Sequence, residues 1–64
     1  MTQVEARILL NEIGATSNQI DRLIEEVQER NGFTEFHKIG PMQICLARVP
    51  GTFGRTENYQ VTIK

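Results

Sequence analysis

The chain has 64 residues, 39% of them hydrophobic, with seven basic and eight acidic side chains and a net charge of −1. That length holds a single domain, residues 1–64, of at most two structural layers, and leaves no room for a nucleotide-sized pocket. The charge balance excludes a global attraction to nucleic acid or anionic lipid, and the lone Cys45 excludes an internal disulfide.

Thr2 and Glu5 stand at the spacing of a capping box, T-x-x-E, and open a predicted helix over about 3–13 that stops at Gly14. Ala6, Leu9, Leu10 and Ile13 form its main apolar stripe, and Val4 with Ile8 widens it. That extra flank must meet either the sheet that follows or another subunit. Thr16 and Gln19 form a second box, T-x-x-Q, flanked by Ala15 and Ile20 as a hydrophobic staple. Ile20, Leu23, Ile24 and Val27 then recur at helical spacing, predicting a helix over about 17–30 with Asp21, Arg22, Glu25, Glu26 and Glu29 on its other faces. Asn31 and Gly32 suit a left-handed stop that sets Phe33 back against Val27.

Residues 33–39 alternate poorly and read as an irregular segment or a short edge strand. After Gly40 and Pro41, residues 42–49 carry apolar side chains on both faces, the pattern of a central strand. Residues 50–57 have the glycine and proline of a hairpin loop, and 58–63 alternate cleanly, with Tyr59, Val61 and Ile63 inward. The expected fold is therefore α+β, two N-terminal helices packed on a small antiparallel sheet. Eighteen of the 64 residues are Leu, Ile, Val or Phe. They suffice for a marginal aliphatic core that dimerisation would support.

Chemistry is sparse. His37 is the only histidine and Cys45 the only thiol, so no metal-ligand spacing exists, and no catalytic residue or cofactor is assigned. Cys45 reads as a small buried thiol in a reducing, cytoplasmic setting, and no export signal or membrane span is evident. The carboxylates of the second helix form a solvated face, with Arg22–Glu26 and Glu26–Arg30 at the spacing of helical ion pairs. In the loop, Phe53 is a large apolar side chain between glycines. With Arg55 there and Arg48 at the loop's base, it makes a candidate contact for a protein partner.

The helical pair also has the apolar positions of a helix-turn-helix at Leu9, Ile13, Ala15, Ile20 and Leu23, with Gly14 as the turn glycine. Thr16, Ser17, Asn18, Gln19 and Arg22 would then lead a recognition helix, and Arg55 would tip a wing that contacts phosphate. Over about residues 6–63 the order of elements resembles a winged helix or a small Cro-type repressor lacking its first helix, which implies sequence-specific DNA binding as a dimer. Leu10 in place of a small residue and the acidic run Glu25, Glu26 and Glu29 depart from that pattern. The leading expectation is a small regulatory or inhibitory protein that binds a protein partner, or itself, through apolar helix surface and the 50–57 loop.

Overall fold

The computed structural model describes residues 1–30, 32–49 and 58–64. Two helices, α1 (Gln3–Glu12) and α2 (Ser17–Glu29), precede three strands, β1 (His37–Ile39), β2 (Met42–Val49) and β3 (Asn58–Ile63). The strands form one antiparallel sheet in the order β1-β2-β3. The α+β arrangement expected from the sequence is the observed one, and the undecided stretch 33–39 contributes the short edge strand β1.

Both helices start where their side chains say they should. The Thr2 hydroxyl accepts from the Glu5 N–H and the Glu5 carboxylate accepts from the Thr2 N–H, and Thr16 with Gln19 repeats the arrangement. The backbone and hydroxyl bonds from Thr2 hold the Glu5 carboxyl below its ordinary value. At the end of α1, the Gly14 N–H reaches Asn11 and the Ala15 N–H reaches back to Leu10, a Schellman closure with Gly14 at φ 106°. Those two bonds reverse the chain within three residues and bring α2 alongside α1.

The core lies between the helices and one face of the sheet. Ala6, Leu10, Ala15, Ile20, Leu23, Ile24 and Val27 meet Ile39, Ile44, Leu46 and Tyr59. Of the helices, α2 lies over the central strand β2, while α1 packs on β3 and on α2. The first residue ties α1 further to the sheet edge, because the Met1 carbonyl accepts from the Tyr59 N–H at 2.6 Å and the Met1 nitrogen donates to the Tyr59 carbonyl. Gln3 adds a bond to the Tyr59 hydroxyl at 3.2 Å.

Three details differ from the sequence expectations. Phe33 does not return to Val27; it pairs with Ala47 in an isolated bridge and stays 56% exposed. The backbone closure itself forms, with the Gly32 N–H on the Val27 carbonyl at 2.9 Å. Ile63, expected inward, is exposed at the end of the edge strand β3, whereas Tyr59 is buried and Val61 is partly so. Cys45 is only half-buried, and its thiol donates to the Thr34 carbonyl at 3.2 Å. The poor alternation of residues 33–39 also has a cause. Four steps from Phe33 to His37 oppose three from Ala47 to Ile44, so one residue is extra, as in a β-bulge. That extra residue lets both Phe33 and Phe36 reach solvent while Thr34 turns inward.

Candidate interaction surfaces

Three surfaces carry side chains that the core does not use. The first is the outer side of α1. Ala6 and Leu10 are fully buried, and Val4 and Ile8, on the opposite side of the same helix, are 64% and 54% exposed. Neither the sheet nor α2 covers that flank.

The second is the outer face of the sheet. Residues of β2 and β3 alternate, so Gln43, Cys45, Ala47 and Val49 share it with Asn58, Gln60 and Thr62. Phe33 joins this face through its pairing with Ala47, under the Arg30 guanidinium at 5.5 Å from the ring centroid. Phe36 lies under the Lys64 ammonium at 5.1 Å. The sequence reading missed both aromatics as surface residues, because only the bulge decides which way they point.

The third is the junction of α2 with β1. His37 Nε2 meets Glu26 Oε2 at 2.6 Å, Glu26 Oε1 accepts from Arg30 and from the Glu35 N–H, and Arg30 also reaches the Glu35 carboxylate at 3.4 Å. Desolvation pushes the Glu26 carboxyl up, but its bonds to His37, to the Glu35 N–H and to Arg30 outweigh this and hold it below its ordinary value. The solvated acidic face expected from the sequence is thus split. Glu25 and Glu29 are exposed, and Glu26 is a half-buried clasp between α2 and the segment that leads into β1. The Glu26–Arg30 pair forms, and among the described residues no Arg22–Glu26 pair does.

Beside that clasp lies a cavity of about 170 Å³ lined by Gln19, Arg22, Leu23, His37, Lys38 and Ile39. His37 faces α2 through Glu26, whereas Cys45 is on the opposite face of the sheet, so the fold does not bring the lone imidazole and the lone thiol together. Among the described residues no group of three or more metal-ligating side chains converges, and no described helix is long and apolar enough to cross a membrane.

Of the candidate protein contacts, Phe53 and Arg55 lie outside the described residues, as does the whole predicted loop 50–57. Arg48 is half-buried on β2 opposite Tyr59. Of the candidate base readers, Thr16, Ser17, Asn18 and Arg22 are exposed, and Gln19 is partly buried. Thr16 and Gln19 are engaged with each other in the helix cap, and Asp21, bonded to Arg7 at 3.0 Å, stands among them. The chain matches no protein-family model, no curated protein and no solved structure.

Proposed function

We propose that this chain is a small non-catalytic regulatory or inhibitory protein, acting in the cytoplasm, that binds a protein partner or a second copy of itself through apolar surface. The observation that supports this reading most is the pair Val4 and Ile8, exposed on the side of α1 opposite its buried stripe. A helix apolar on two opposite sides has one side more than this fold uses. The molecule exposes 4527 Å². A standard interface takes about 800 Å² from each partner, under a fifth of that surface.

The test is affinity capture with the wild-type protein and with the double variant Val4→Glu and Ile8→Glu, whose positions are exposed enough to leave the fold intact. Proteins retained by the wild type are expected to be lost from the variant. Retention of the same proteins at the same yield overturns the α1 surface as the contact. Phe53→Ala with Arg55→Ala asks the same question of the loop.

DNA binding as a dimer is the second reading, supported by the exposure of Asn18 and Arg22 near the start of α2. Asp21 and Glu25 lie close by and oppose phosphate, and the cap occupies Thr16 and Gln19. A mobility shift at low salt that retards genomic fragments, and that Asn18→Ala abolishes, would favour it over protein binding.

A further inference from the structure

We propose that the cavity between α2 and β1 binds a single oxyanion group, a phosphate or a carboxylate, through Arg22 and Lys38. The inference rests on where the charges are and what they touch. Of the described cations, Arg7 is paired with Asp21, Arg30 with Glu26 and Glu35, and Lys64 sits over Phe36. Arg48 has a partner as well. Among the described residues, Arg22 and Lys38 are the two basic side chains left without an ion pair or ring contact, and both line the same cavity.

The walls suit an anion. Gln19 contributes an amide and His37 an imidazole, Leu23 and Ile39 supply an apolar lining, and no carboxylate lines the cavity. Glu26, which bonds the His37 ring, also accepts from Arg30 and from the Glu35 N–H, so its charge is shared among three partners. Arg22 lines both this cavity and a neighbouring hollow that Asp21 and Glu25 border. An oxyanion entering the cavity meets two cations and no carboxylate among the lining residues. Size narrows the ligand. Pockets for drug-sized molecules run about 300–1,000 Å³, whereas a cavity of about 170 Å³ takes one headgroup. A guanidinium fork and a mobile ammonium together match the oxygens of a phosphate or carboxylate.

The experiment is a ¹H–¹⁵N NMR titration of the intact chain with inorganic phosphate, with sodium acetate, and with sodium chloride at matched ionic strength. Phosphate or acetate is expected to move the resonances of Arg22, His37 and Lys38 along saturating curves with millimolar midpoints, while chloride does not. Arg22→Gln and Lys38→Gln, both at exposed positions, should each weaken that midpoint by about two- to fivefold, the range of an exposed charge pair. Tighter binding of phosphate would identify a phosphate site, and tighter binding of acetate a carboxylate site. Shifts that follow ionic strength in all three salts overturn the proposal, as do unchanged midpoints in both variants. Neither result bears on the α1 surface, whose test uses different residues.

Discussion

Thr34 shows how much one side chain settles here. It is the buried polar residue of the core at 2% exposure, its hydroxyl accepts the Leu46 N–H at 3.0 Å and donates to the Glu35 carbonyl at 2.8 Å, and its own N–H reaches the Leu46 carbonyl. The hydroxyl replaces the backbone partner that the bulge removes from β2. Thr34→Val keeps the shape and orphans a buried donor, so a loss of about 1–3 kcal/mol is expected in denaturant unfolding. Glu26 is the second such residue. Its carboxyl lies lower in the folded state than its ordinary 4.5, so the stability it contributes is present above that value and is lost as pH falls through the folded one. Acid unfolding followed by circular dichroism should therefore begin as pH drops below 4.5, and Glu26→Gln should lower stability at neutral pH while flattening that acid limb. Neither residue announced its role in the sequence. A threonine in a poorly alternating stretch and a glutamate in an acidic run both have the ordinary look of surface positions.

Among the elements, the helices were legible and the edges of the sheet less so. A capping box states its own geometry within four residues, so Thr2–Glu5 and Thr16–Gln19 could be placed from spacing alone, and both form as expected. Thr16→Ala is expected to cost about 1 kcal/mol, which for a domain of this size lowers the melting temperature by about 4–8 °C in a thermal scan. An unchanged melting temperature would mean that α2 is held by its buried stripe alone. The central strand could likewise be read, because both of its faces carry apolar residues. The segment before it could not, since a bulge depends on the register against a partner strand that local alternation does not encode. The edges are managed rather than bare. Met1 pairs with Tyr59 beside β3 under α1, and β1 is only three residues long with Lys38 exposed on it.

For the molecule as a whole, small size governs stability. At about 0.05–0.15 kcal/mol per residue, a chain of this length holds roughly 3–10 kcal/mol in total. Leu10 and Leu46 are fully buried, and Leu→Ala at such a site costs about 2–5 kcal/mol. Leu10→Ala is accordingly expected to leave a measurable unfolded fraction at room temperature by circular dichroism, while Val4→Ala on the exposed side of α1 should leave the unfolding midpoint almost unchanged. The amino-acid order by itself determined the two helices and the two longer strands in their sequence, the caps, the turn at Gly14 and the α+β class, because each depends on residues within a few positions of one another. Tertiary structure alone decided which apolar side chains stay outside, Val4, Ile8, Phe33, Phe36 and Ile63 among them, and it alone placed Arg22 beside Lys38. Those outcomes follow from how α2 lies over β2 and from the slip of one residue at β1, contacts between segments distant in the chain that no local pattern records.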